Sequence, residues 1–276
     1  MIDGWEQCPS CGLAPVRKNG RDRRGQQVYE CKRCGRSFTH LSGTPFSGYR
    51  FPPDVIALAV RYYLRYRLSY GDLAEWLTER GVHVDRSTLY DWVHRFAPLY
   101  QEAARPHRQR PGRVWSVDET YVRVGKHWQY AYRAIDEHGQ VIDVYVSPYR
   151  AAEDAKAFFR RSITGSGIRP RRVTTDKAAC YPPAVAEVLP EAEHVTGKRE
   201  QQRLERDHQH LKGRLRPMRS FKTEPTAQVV CAGHGFVRNL AGGHYQLGLA
   251  PGDPAVPQPP LLMRAWEDLT ELLLAG

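Results

Sequence analysis

From Asp54 to Tyr66 apolar residues recur at helical spacing through Val55, Leu58, Ala59 and Tyr62, which predicts a helix. Ser69-Tyr70-Gly71-Asp72 reads as a variant capping box opening a second helix through Leu73, Trp76 and Leu77, and Gly81 stops it. After Val82-His83-Val84, a third helix is expected from Asp85 to Phe96, with Leu89, Trp92, Val93 and Phe96 inward and Pro98 beyond its end. Gln101 to Arg113 is polar and basic, carries Pro106 and Pro111, and reads as a linker. At Val114 the period changes to two. Strands follow over Val114 to Val124, Trp128 to Asp136 and Val141 to Pro148, with Glu137-His138-Gly139 as a turn in which Asp136 and His138 are turn residues. A helix over Ala152 to Ile163 turns Ala155, Phe158 and Phe159 to the sheet. Beyond it come a strand at Arg171 to Thr175, a short helix at Cys180 to Leu189 and a strand at His194 to Thr196. Gln201 to Leu215 is helical, with Leu204, His208, Leu211 and Leu215 on one stripe. Thr226 to Leu249 is expected as a closing helix broken near Gly233 to Gly235 and at Gly242-Gly243. After the Pro-rich stretch Pro251 to Pro260, Leu261 to Leu274 puts Leu262, Trp266, Leu269 and Leu273 on one face, to dock on the core or on another protomer.

These patterns divide the chain into residues 1–47, a helical unit at 50–100, a linker at 101–113, an α/β unit at 114–249 and a spacer with a terminal helix at 250–276. Three short helices joined by Gly-containing turns suit a helix-turn-helix, whose third helix would offer Arg86, Ser87, Thr88, Tyr90 and Asp91 to a DNA groove. Three antiparallel strands, then helix, strand, helix and strand, make the element order of a ribonuclease-H-like (integrase-type) core. Parallel pairing in that order would set Asp118 of the first strand and Asp176 at the end of the fourth side by side at the sheet centre.

Net charge sharpens this picture. The 276 residues carry a formal charge of +11, mostly as Arg, whose fork suits phosphate, so a polyanionic partner is expected. No apolar run reaches membrane length and the start MIDGWEQCPS has no signal pattern, so no membrane partner and a cytoplasmic location are expected. Cys8-Pro9-Ser10-Cys11 and Cys31-Lys32-Arg33-Cys34 are two C-x-x-C knuckles that read as one structural zinc site in a small ribbon, with Val28-Tyr29-Glu30 and Ser37-Phe38-Thr39 as its strands. Arg17, Lys18, Arg21, Arg23, Arg24, Lys32, Arg33 and Arg36 surround the knuckles; they contact a DNA backbone or are simply solvated. Cys180 and Cys231 stand alone and read as buried thiols.

The sharpest chemical signal is Asp118, an acid inside the strand GRVWSVDETYVRV, where a buried carboxylate is costly unless a cation meets it. Asp176 ends a second strand and Glu205 opens a basic helix. Three such carboxylates suit a pair of divalent cations acting on phosphodiesters. The set W-x-x-D-E-T-Y-x-x-V, T-D-K and L-E-x-D-H, spread between about Phe51 and about Gly248, resembles the DDE transposases of bacterial and archaeal insertion sequences, most closely the insertion-sequence six family.

That resemblance implies Asp118, Asp176 and Glu205 as the catalytic triad and ligands of two Mg²⁺ (or Mn²⁺), with Lys212, seven residues past Glu205, as a basic DNA contact. The segment between the second Asp and the Glu is short, and Glu200 and Asp207 are the neighbouring rivals for the third place. Arg203, Arg206, Arg214, Arg216, Arg219 and Lys222 would rim the site, with Arg206 and Arg214 on DNA. The resemblance further implies cleavage at terminal inverted repeats, strand transfer into target DNA, a dimer or higher assembly, and a prokaryotic, nucleoid-associated protein. The alternatives are a ribonuclease-H-like nuclease that does not join, and a non-catalytic DNA-binding regulator.

Overall fold

A computed structural model describes residues 7–22, 25–197, 202–215, 218, 220–248 and 260–275, the side chains of 202–208 excepted. Near the start, β1 (Val16–Arg21), β2 (Gln27–Cys31) and β3 (Ser37–Phe38) form a small antiparallel sheet. Its apolar core is little more than Phe38 stacked on Tyr29, with the sulfurs of Cys8 and Cys31 buried beside them. So small a core is insufficient to hold a fold alone, and the four cysteines are the remaining source of stability.

Helices α1 (Pro53–Arg65) and α2 (Tyr70–Thr78) lie where the apolar spacing puts them. The capping box forms in both directions, the amide of Asp72 donating to Ser69 Oγ at 3.1 Å and the amide of Ser69 to Asp72 Oδ2 at 2.8 Å. Helix α3 (Arg86–Ala104) corrects the expected stop before Pro98, because it runs through that proline and takes up the first residues of the supposed linker. Its buried stripe continues from Trp92, Val93 and Phe96 to Ala97, Tyr100 and Ala104, and this burial outweighs the roughly 3 kcal/mol that an internal proline costs.

The main sheet contains β4 (Val114–Val124), β5 (His127–Asp136), β6 (Val141–Ser147), β7 (Arg172–Thr175) and β8 (Glu193–Thr196), in the order β6-β5-β4-β7-β8. The first three strands pair antiparallel, while β7 joins β4 and β8 joins β7 in parallel. This is the ribonuclease-H-like arrangement. One face is covered by α4 (Ala152–Ser166) and α5 (Tyr181–Val188), which bury Trp115, Val117, Tyr132 and Ala134. The other packs against α7 (Glu224–Ala241), and through it against α1, α3 and α8 (Leu261–Ala275), in a core that includes Val122, Val124, Ala131 and Val144. Helix α6 (Gln202–Leu215) lies against β4.

Two further expectations are corrected. Helix α7 is unbroken at Gly233 and Gly235 and stops at Gly242. The two glycines allow close approach, since a Cβ on Gly233 would lie 2.8 Å from Leu64 Cδ2 and one on Gly235 would lie 3.2 Å from Val141 Cγ1. The open question of α8 is answered within the chain: Trp266 stacks on Tyr100 at 4.3 Å and donates from Nε1 to the carbonyl of Ala57 at 3.0 Å. No described helix is long and apolar enough to cross a membrane.

Candidate active site

Strand β4 changes its buried face midway. Trp115 and Val117 are buried on one side, whereas Thr120, Val122 and Val124 are buried on the other. Asp118 and Glu119 fall at the changeover, where neither cover is complete, and both remain half-buried. In the parallel pair Ser116 lies level with Thr174, so Asp176, just past the end of β7, comes abreast of Asp118. Side-chain oxygens of Asp118, Glu119 and Asp176 all lie within 4.8 Å of one another. The two aspartates expected to meet therefore do so, and a third acid joins them.

Glu119 was missed by the sequence reading. Neighbouring strand residues ordinarily point to opposite faces, so Glu119 belonged with the far side. It reaches the cluster because β7 ends at Thr175 and leaves the edge of β4 open beyond it. Its Oε2 accepts from the hydroxyl of Tyr181 and its Oε1 pairs with Arg150 Nη2. The same nitrogen donates to Asp176 Oδ2 at 3.0 Å, while Asp176 Oδ1 accepts from the amide of Ala178 at 2.9 Å. The one available signal was a second acid directly after Asp118 in an otherwise apolar and aromatic strand.

Electrostatics mark this cluster as short of positive charge. Burial, then the neighbouring charges of Glu119 and Asp176, push Asp118 up to about 7, against the amide of Glu119 and the more distant Arg150. Burial also raises Glu119, opposed by Tyr181 and Arg150. Burial alone would lower Arg150, but Glu119 and Asp176 more than offset it and its pKa rises. Crowded carboxylates that resist joint ionisation are what a hard divalent cation stabilises, so these residues fit such an ion. Across the β4–β5 pair Asp118 stands opposite Arg133, which is fully buried.

Glu205, the third expected ligand, lies on a helix. Helix α6 carries Glu205 and Arg206, but their side chains lie outside the described residues, as do the rival Asp207's and the whole of Glu200. Lys212 is exposed on α6 and lines a cavity of about 450 Å³ with Thr120, Arg123, Trp128 and Phe221, two residues along β4 from Asp118. Arg214 corrects the sequence reading. It is 1% exposed, donates from Nε to the carbonyl of Tyr63 at 2.9 Å and lies over the Tyr63 ring, so its guanidinium is not offered to DNA.

On α3, Arg86 and Ser87 are exposed in the first turn and Thr88 is half-buried. Tyr90 is not free for a groove, being packed against His94 at 3.9 Å and against Tyr70, with Lys222 above its ring. In the small sheet Arg33 is exposed, whereas Arg23 and Arg24 lie outside the described residues. Cys8, Cys11, Cys31 and Cys34 converge, with sulfur separations of 3.7 Å for Cys8 to Cys34 and for Cys11 to Cys31. That separation is the edge of a tetrahedron with metal–sulfur bonds of about 2.3 Å. Amides of Cys34 and Arg33 hold the Cys31 thiol below its usual range, which favours the ligating thiolate.

A DDE-domain family of the IS240 type matches residues 112–244. The transposase for insertion sequence-like element IS431mec of Staphylococcus aureus is 39% identical over 180 residues, 63% of this chain and 80% of that protein. The transposase for insertion sequence element IS257 in transposon Tn4003, also from Staphylococcus aureus, is 38% identical over the same length. Among solved structures, the HTLV-2 integrase catalytic core domain in complex with magnesium overlaps 56% of this chain and 97% of its own, at 15% identity and a TM-score of 0.38, too slight a likeness to carry an argument.

Proposed function

This chain belongs to the DDE transposases of the insertion-sequence six family, and from that premise we propose that Asp118, Asp176 and Glu205 hold two divalent cations, Mg²⁺ or Mn²⁺, with which it cuts the ends of an insertion sequence and joins them to target DNA. The observation that carries the proposal is the meeting of Asp118 and Asp176, from parallel strands, in a cluster with excess negative charge. When bound, such a pair of ions supplies positive charge at both the attacking and the leaving oxygen of an in-line displacement. The protein's own part is to hold the carboxylates rigidly on the sheet and to bring up α6 with Lys212, whose ammonium meets a phosphate of the DNA end.

Recognition of the terminal inverted repeats falls to the other two units. Arg86, Ser87 and Thr88 at the start of α3 read a groove. The small sheet, held by one zinc ion on Cys8, Cys11, Cys31 and Cys34, brings Arg33 to the backbone. A second copy of the chain holds the other end of the element.

Strand transfer with Mg²⁺ and a duplex carrying a terminal repeat is the decisive assay. The wild-type chain joins that end to a second duplex, while Asp118→Asn and Asp176→Asn bind the end but neither cut nor join, because an amide is a poor ligand for a hard cation. Near-normal joining by either variant sinks the proposal. Cutting without joining by the wild-type chain would favour a nuclease, and binding without cutting a regulator.

The closeness of Glu119 to the aspartates favours a second reading, with Glu119 as the third ligand in place of Glu205. Glu205→Gln is expected to stop both steps, Asp207→Asn only to slow them, and Glu119→Gln to retain measurable joining. A Glu119→Gln that neither cuts nor joins, beside an active Glu205→Gln, would reverse the assignment.

A further inference from the structure

The cation that now serves the acidic cluster belongs to the protein. Arg150 lies between β6 and α4, and a single nitrogen of its guanidinium pairs with Glu119 Oε1 and, at 3.0 Å, with Asp176 Oδ2. The Glu119 side chain is 5% exposed and that of Asp176 34%, so the arginine closes the cluster from the solvent side, with its own side chain 34% exposed. Its short loop is fixed at both ends. Asp154 accepts from the hydroxyl of Ser147 and from the amide of Ala151 at 3.3 Å, and Tyr132 donates its hydroxyl to the carbonyl of Tyr149 at 3.2 Å. The backbone is thus held while the side chain can turn away.

We propose that Arg150 is the resident counter-cation of this cluster: it holds Glu119 and Asp176 together before divalent cations arrive, and it must release Asp176 to admit them. The inference rests on the assignment of Asp118 and Asp176 as ligands. A carboxylate oxygen that accepts from a guanidinium has less electron density for a cation, and two positive centres sharing the cluster repel each other. A divalent ion brings twice the charge to oxygens that hard cations prefer. The guanidinium sits on a flexible stem with its side chain 34% exposed, so on release it turns into water and not into the core. Arg150 is therefore a positioning residue that sets the metal affinity of the free protein. It keeps the cluster folded and weakly loaded until ions and DNA arrive together.

The test is titration of the DNA-free, zinc-loaded chain with Mn²⁺, following free Mn²⁺ by electron paramagnetic resonance, together with thermal unfolding without and with saturating Mn²⁺. Arg150→Gln is expected to bind Mn²⁺ about tenfold more tightly than wild type, the size of a typical coupling between two ligands. It should also melt lower than wild type without the ion, with the gap closing when Mn²⁺ is added. Arg150→Lys keeps the charge on a shorter and more strongly hydrated head, and its affinity should fall between; it also decides the matter if Arg150→Gln does not fold. An arginine that only braces the loop would weaken Mn²⁺ binding or leave it unchanged in both variants, and that result overturns the inference. Asp176→Asn separates the two levels. If it binds Mn²⁺ as wild type does, the ligand assignment has failed and the inference falls with it. If it loses Mn²⁺ while the Arg150 variants match wild type, only the role of Arg150 is wrong.

Discussion

His234 on α7 is kept neutral by its surroundings. It is almost wholly buried, and burial, followed by the charges of Arg133, Arg214 and Arg238, lowers its pKa to about 3. An unfolded histidine titrates near 6.5, so between these values the unfolded chain binds the extra proton. The stability His234 contributes is complete above about pH 6.5 and is lost as pH falls towards 3, by roughly 2 kcal/mol at pH 5. His234→Gln should therefore lose less stability than wild type between pH 7.5 and pH 5 in urea unfolding followed by circular dichroism, whereas equal losses would show that the imidazole is not responsible. At the same scale, Asp118 and Asp176 were legible because an acid in or ending an apolar strand demands a partner, and strand order said which partner. Glu119 was not, because it reaches the cluster past the end of a β7 only four residues long, and Arg150 was not, because a basic residue in a loop carries no pattern that says what it will meet. Arg214 misled for the opposite reason, since a basic residue on a basic helix gives no sign that Tyr63 will cover it.

Elements were most legible where local chemistry and tertiary packing agreed, as in α1, α2 and the three antiparallel strands. Where they disagreed, packing won. Pro98 and Gly233 are both helix breakers by local preference, yet each sits inside a helix whose apolar face is needed elsewhere. Gly233→Ala should raise local helix propensity and still destabilise the protein by about 1–3 kcal/mol, because the added methyl meets Leu64, itself fully buried with little room to move. A higher melting temperature for Gly233→Ala would mean that α1 and α7 can separate there at no cost. The small cysteine-bound sheet makes the contrasting case, with knuckle spacing alone predicting its geometry. Cys31→Ser or Cys8→Ser should release zinc and unfold this sheet, weakening binding of the DNA end while the main sheet stays folded. Metal analysis of the purified chain tests this, and four freely reactive thiols with no zinc would refute it.

Across the whole molecule, the expected boundary at residues 101–113 is a change of element and not a break in packing. One apolar core runs from Ile56, Leu89 and Phe96 in the N-terminal helices, through Val230 and Val237 of α7, to Val144 of the sheet and Trp266 of α8. This was not legible beforehand, because an apolar stripe announces that a helix packs but not against what. Trp266→Ala should cost about 3–5 kcal/mol and lower a single unfolding transition seen equally by helix and sheet probes. Two separate transitions would restore the linker. The shared core also bears on how such a protein can be retargeted. If reader and cutter were beads on a string, a new DNA specificity could be grafted by exchanging the helical unit between relatives. Here the buried side of that unit is also part of the bed under the catalytic sheet, so a transplanted reader must arrive with its matching α7 and α8. With Arg86 and Ser87 in the groove-reading role proposed for them, new specificity is reachable instead by point changes on the exposed start of α3, which leave the common foundation untouched.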